Sequence, residues 1–196
     1  MNTIKRQPSS SAHPHAVNLG LPSLTEWASC NVGASCPEDY GGYYSWGETR
    51  EKKLYERSTF SLYDNSKKSF IILDESICGT GHDVARHLLG DEWQMPTLGQ
   101  FKELVEYCSY EWTIRNGIIG GKFTGPNGNS IFLPAAGRRY GPGLYYDGLV
   151  GLYWSGEMCL GFNDGAYGLD FNEIEAGTHN YCDNYLGHPV RPVAAR

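Results

Sequence analysis

The spacing of apolar and polar positions changes period twice along this chain. From Ala16 onward apolar residues alternate at Val17, Leu19 and Leu21, and Trp27 to Ala34 reads as a strand ending in a turn. Pro37 to Gly42 carries turn residues. Tyr43 to Glu48 reads as a second, aromatic strand whose rings suit a core. A polar excursion over 50–72 follows, with a short strand expected at Phe70 to Leu73. The period then becomes helical. His82 to Leu89 places Val84, Leu88 and Leu89 on one side, and Gly90 stops the helix. Thr97 and Gln100 have capping-box spacing, and Leu98, Phe101, Leu104, Val105 and Cys108 form an apolar stripe. Lys102, Glu103 and Glu106 form the solvated side of that helix. Period two returns at Trp112 to Ile114, Gly121 to Thr124 and Ser130 to Leu133, with Pro126 to Asn129 as a hairpin turn. Strands, then two amphipathic helices covering one side of a sheet, then strands and glycine-rich loops predict an α+β class.

The last third, 133–193, mixes two kinds of residue. Ala135 to Gly137, Tyr153 to Ser155, Leu169, Phe171 and Val190 to Val193 have the character of scaffold. Between them lie Tyr, Asp, Asn, Gly and His that no regular core demands. In 166–172 strand alternation turns Leu169 and Phe171 inward and Gly168, Asp170 and Asn172 outward. Such a face works as antibody loops do, with Tyr giving contact area at low entropic cost and Asn giving adaptable hydrogen bonds.

Composition narrows the functions open to the chain. Its 196 residues suit one domain, 16–196, behind a flexible polar tail at 1–15. The net charge is −6, and the basic clusters Lys52–Lys53, Lys67–Lys68 and Arg138–Arg139 are short, so no nucleic-acid partner is expected. No apolar run reaches the length of a membrane span, and the first residues lack the apolar stretch of a signal peptide. Six cysteines without a CxxC pair read as mostly buried thiols, with Cys30 and Cys36 the nearest pair. His13 and His15, around a proline in the tail, form no metal site. The acidic run Asp164, Asp170, Asn172, Glu173 and Glu175 lacks the loop motifs of calcium-dependent sugar binding. Arg191 in its scaffold setting reads as a buried salt bridge or backbone contact, and Trp93 and Trp154 read as core.

The ordered set WASCNVGASCPEDYGGYYSWGE (27–48), WQMPT (93–97), GKFTGPNGNSIFLPAAGRR (121–139), GLYWS (151–155), A-x-x-L-x-F (166–171) and VRPV (190–193) resembles a bacterial domain common in Bacteroidetes. That domain has a C-type-lectin-like fold related to the formylglycine-generating-enzyme type. The resemblance covers 16–193. It implies two helices packed on antiparallel sheets with long Gly- and aromatic-rich loops. The Tyr-, Asn- and Gly-rich segment before VRPV is further similar to the variable proteins of diversity-generating retroelements. In those systems, adenine-directed mutagenesis varies ligand-contacting positions.

On this resemblance the chain is a non-catalytic ligand-binding module with a diversifiable face over about 140–191 and no cofactor. The contact residues it implies are Tyr145, Tyr146, Asp147, Leu149, Leu152, Glu157, Met158, Leu160, Phe162, Asn163, Asp164, Gly168, Asp170, Asn172, Glu173, His179, Asn180, Tyr181, Asp183, Tyr185 and His188. The expected partner is a protein or glycan on a cell surface. The expected setting is a phage tail or bacterial cell surface if a leader or carrier supplies export, and the cytoplasm otherwise. An invariant adhesion module is the alternative. A formylglycine-generating-type enzyme is the weaker one, because Cys159 and Cys182 lie far apart in sequence, and a Cys–His nucleophile or metal site from His179, Cys182, Asp183 and His188 lacks an orienting spacing.

Overall fold

The structure, a computed structural model, describes residues 14–159, 161, 164–178 and 181–195. Its elements are β1 (Ala16–Asn18), β2 (Glu26–Ala28), β3 (Tyr63–Asp64), β4 (Ser69–Phe70), α1 (Val84–Leu89), β5 (Trp93–Gln94), α2 (Leu98–Tyr107), β6 (Ser109–Arg115), β7 (Ile118–Thr124) and β8 (Ser130–Pro134). The last third adds β9 (Arg138–Tyr140), β10 (Gly143–Tyr145), β11 (Gly151–Met158), β12 (Gly165–Phe171), β13 (Ala176–Gly177), β14 (Tyr181–Asp183) and β15 (Val193–Ala194).

These strands make several small sheets: β1-β2-β15-β5, β6-β7-β8, β11-β12-β13 with β14 on β12, and the hairpins β3-β4 and β9-β10. The chain is mostly β, with 37% strand against 11% helix, and this corrects the α+β expectation. The physical reason lies in the first helix. Asp83 caps it and Gly90, at φ +96°, ends it after six residues. Its buried face is Val84 and Ala85, while Leu88 is exposed, so it never presents the stripe expected of a sheet-covering helix. Only α2, ten residues long, packs across β11, β12 and β13. Its start is the anticipated capping box, with Thr97 Oγ1 accepting from Gln100 N at 3.1 Å and Gln100 Oε1 accepting from Thr97 N at 2.9 Å.

The aromatic run after Pro37 is core, as its rings suggest, but it is not a strand. Tyr43, Tyr44 and Trp46 are buried in irregular chain whose main-chain N–H groups bond outward, Tyr44 to His188 O and Trp46 to Asn184 O. The expected strand at Phe70 to Leu73 reduces to Ser69–Phe70, with Ile71 and Ile72 exposed. Of the tail at 1–15 only Pro14 and His15 are described, and His15 O accepts from Ser29 N at 2.9 Å.

The central pair β11-β12 is covered on both faces. Tyr153 lies opposite Leu169, and both join Trp27, Phe101, Phe123 and Phe171 in one core. Trp154 lies opposite Gly168 and belongs, with Ala166 and Met158, to a second core around Trp46, Ile77 and Val190. The C-terminal β15 inserts between β2 and β5, Val193 facing Trp27 and Gln94, and so ties the two ends of the domain together. Beside it Arg191 is fully buried. Its guanidinium donates to Asn31 Oδ1 (2.8 Å), Phe132 O (2.9 Å), Ala28 O (3.2 Å) and Ser29 O (3.3 Å), the backbone-contact form of the expected role.

Candidate functional site

The expected contact residues begin on the β9-β10 hairpin. Gly141, at φ +53°, opens the turn, and the register sets Tyr145 opposite Arg138 and Gly143 opposite Tyr140. Tyr140 and Tyr145 meet diagonally across it, ring centroids 6.3 Å apart, and both are exposed. Tyr146 follows at φ +64°, a left-handed conformation that costs a non-glycine residue about 1 kcal/mol. A short turn holds it there, in which Leu149 N and Val150 N both bond Tyr146 O and Gly148 N bonds Ala135 O. The result is that Tyr146 and Leu149 stand 51% and 65% exposed, and the Arg138 guanidinium lies 5.5 Å from the Tyr146 ring. The turn thus holds Tyr146 and Leu149 outward, away from the core clusters.

The remaining positions sort by burial. Asp147, Glu173 and Tyr181 are exposed. Leu152, Glu157, Asp164, Gly168, Asp170, Asn172, Asp183 and Tyr185 are half-buried. Leu160, Phe162, Asn163, His179 and Asn180 lie outside the described residues. Met158 and His188 are inside, at 8% and 2% exposure, so neither is a surface contact in this structure. Met158 fills the second core, and His188 stacks on Trp154 with ring centroids 4.0 Å apart and 18° between planes. Asn172 is also committed, because its Oδ1 accepts from Ile174 N (2.8 Å) and Glu175 N (3.2 Å) and shapes its own turn.

Alternation along β12 holds as expected, but its meaning differs. Leu169 and Phe171 do face the first core. Gly168 and Asp170 face the other way, toward the second core rather than open solvent. They form the wall of a small cleft with Leu152, Trp154, Cys182 and His188. Sequence alternation reports opposite faces of a strand, and only the packing says that both are covered.

Arg138 on one side, and Asp170 and Asp183 on the other, act on the titratable groups of this cleft. Burial first, and the Arg138 cation second, pull the His188 pKa down to about 3, so its imidazole is neutral. Burial pushes the Cys182 thiol up, with Arg138 acting against it. Among the described residues, the buried Nε of Arg138 and Nε2 of His188 have no hydrogen-bond partner.

A second aromatic group joins Arg57, Tyr63 and Phe70, which are outside the expected list, to Tyr185 and Asp164, which are on it. The Arg57 guanidinium sits 5.2 Å from the Phe70 ring, 5.6 Å from Tyr185 and 5.8 Å from Tyr63, with Asp164 at 3.9 Å. Tyr185 Oη donates to Asp183 Oδ2 at 2.8 Å. The polar excursion thus touches the candidate face through Arg57, which no local sequence signal marks. Tyr140 was legible, since Tyr-Gly-Pro-Gly-Leu-Tyr is a hairpin with a tyrosine on each arm.

All six cysteines are free thiols, and burial raises the pKa of Cys30, Cys78, Cys108 and Cys182, the reverse of an activated nucleophile. Among the described residues no three His, Cys, Asp or Glu side chains converge to hold a metal ion, and no helix is long and apolar enough to cross a membrane. Comparison with family models, curated proteins and solved structures found no match to this chain.

Proposed function

We propose that this chain is a non-catalytic ligand-binding module whose contact face is carried by the β9-β10 hairpin, the following turn and the β12-β14 region. The observation that supports it most directly is the outward placement of Tyr145, Tyr146, Leu149 and Tyr181, all at least 44% exposed, on a scaffold with two filled cores. Rigid exposed tyrosines bind at low entropic cost. The similarity to the variable proteins of diversity-generating retroelements adds that the face is diversifiable and that the ligand is a protein or glycan of a cell surface.

Replacing Tyr145, Tyr146 and Tyr181 together with Ala tests the assignment. The variant is expected to keep the unfolding midpoint within a few degrees and to lose retention on intact target cells. A variant that unfolds makes these tyrosines scaffold and ends the proposal. Diversification has a separate genetic test. A near-copy of the segment encoding 140–191, differing only at adenines and next to a reverse transcriptase gene, is expected beside the coding sequence. A sequence fixed across a population and lacking that cassette removes this part.

A further inference from the structure

One edge of the β6-β7-β8 sheet lies outside the contact face and is open among the described residues. Asn116 and Gly117 join β6 to β7, both left-handed at φ +48° and +83°, which makes the connection a two-residue type I′ turn. Such a turn closes on a hydrogen-bonded pair, here Arg115 and Ile118, and the ladder then alternates. The main chain of Ser109, Glu111, Thr113 and Arg115 therefore bonds β7. The N–H and C=O of Tyr110, Trp112 and Ile114 point the other way, and among the described residues they meet no main-chain partner. Other long strands are engaged on both sides. β7 lies between β6 and β8, and β12 between β11 and the β13 and β14 strands. The outer edge of β11 bonds through Trp154 N to Pro189 O, Gly156 N to Pro96 O and Met158 N to Glu75 O. β6, by contrast, runs seven residues in unbroken register with no proline, lysine or bulge, the devices that keep an exposed edge from pairing.

The strand is complementary to itself. Laid antiparallel on a second copy about Thr113, it sets Glu111 opposite Arg115, Trp112 opposite Ile114 and Thr113 opposite Thr113. Glu111 and Arg115 share one face and are both exposed. In this register they occupy non-hydrogen-bonded positions, where side chains across the pair come closest. Arg115 engages Glu38 through Nε, which anchors its side chain at the edge while leaving it half exposed. On the other face Trp112 rests against Phe171, ring centroids 6.3 Å apart, while Ile114 lies beyond the core at 66% exposure. Pairing covers that isoleucine with the indole of the second copy. A two-fold axis at Trp112 would instead set Glu111 opposite Thr113 and Arg115 opposite Ser109, leaving both charges unmatched.

We propose that β6 is a dimerisation edge, pairing with β6 of a second copy of this chain about a two-fold axis at Thr113 and joining the three-stranded sheets of the two copies into one. The contact is isologous, so each interaction occurs twice. Trp112 and Ile114 exchange N–H···O bonds across the axis, and a Glu111–Arg115 pair forms at each end. A single strand edge is smaller than a standard interface, so the dimer is weak, with a Kd on the order of 10–100 μM.

Sedimentation of the full chain between about 1 and about 500 μM is expected to show the mass rising from 21.8 kDa toward twice that value. Amide hydrogen exchange is expected to protect Trp112 and Ile114 only at the high concentrations, with Tyr110 exchanging throughout because this register sets it opposite the turn. Ile114→Pro removes an outward donor without costing a bond to β7 and is expected to stay monomeric. Glu111→Arg sets arginines opposite one another and is expected to weaken association roughly tenfold. Added salt then restores part of that loss, whereas it weakens the unsubstituted dimer. Near-UV circular dichroism checks that each variant is folded. Glu111 is exposed, so its variant decides the matter if proline disturbs the strand. A single-chain mass at every concentration overturns the proposal: protected Trp112 and Ile114 amides would then mean that the chain covers its own edge, and exchanging ones that the edge serves another protein or none. A dimer that survives Ile114→Pro lies elsewhere on the surface, and one indifferent to Glu111→Arg has another register. Either result overturns the pairing.

Discussion

Replacing Arg191 with Met measures how the C-terminal segment is held. The guanidinium is fully buried and its partners are one side-chain amide and three main-chain carbonyls, with no carboxylate among the described residues. Burial lowers its pKa to about 10, which leaves it charged at neutral pH. Methionine has a similar length and no donors. Each acceptor orphaned inside the protein costs about 1–3 kcal/mol. Against this, the variant no longer carries the several kcal/mol cost of keeping an ion out of water. The net loss expected is about 3–5 kcal/mol, from four orphaned acceptors at about 1–3 kcal/mol each less the several kcal/mol of burying the ion. Urea unfolding followed by tryptophan fluorescence reads it, with the slope unchanged and the midpoint lowered. Arg191→Lys retains charge but not the planar fork and is expected to fall between the two. A loss below about 1 kcal/mol for Met would count against this account, because the four bonds would then be no better than their replacement by water.

Two further outcomes follow from the cores. The His188 pKa lies at about 3 in the folded chain against 6.5 ordinarily, so between these values the unfolded chain binds the extra proton. The stability it confers is present above pH 6.5 and is lost as pH falls toward 3, at up to about 1.4 kcal/mol per pH unit. His188→Phe is expected to flatten that part of the profile, and an unchanged acid limb counts against a buried neutral imidazole. Phe171 has its ring 5.8–6.3 Å from those of Tyr110, Trp112, Phe123 and Tyr153. Phe171→Ala is expected to cost about 3–5 kcal/mol in thermal or urea unfolding, and a cost under about 1 kcal/mol would show that the site collapses around the void.

Features that depend on near neighbours could be read along the chain. The Thr97–Gln100 box and the stripe of Phe101 and Leu104 define α2, because capping and helical period need only residues within two turns. The β7-β8 hairpin was legible in Pro126 to Asn129, where Gly128 takes φ +86°. The core character of Tyr43, Tyr44, Trp46, Trp93 and Trp154 followed from their size and apolar area. The rest depends on contacts between residues far apart in the chain. Six residues between a cap and a glycine cannot become a covering helix, so the sheets dominate and the class is mostly β. Tyr44 bonds His188 across 144 positions of chain rather than a strand neighbour, so an aromatic run that reads as a strand is irregular. Period two told which residues of β12 share a face, yet the burial of both faces came from Trp154 and its neighbours on another strand. For the same reason His188, whose local setting of Gly, Pro and Val suggests an exposed contact, lies beneath the candidate face: its burial is fixed by partners distant in sequence, and no local pattern encodes them.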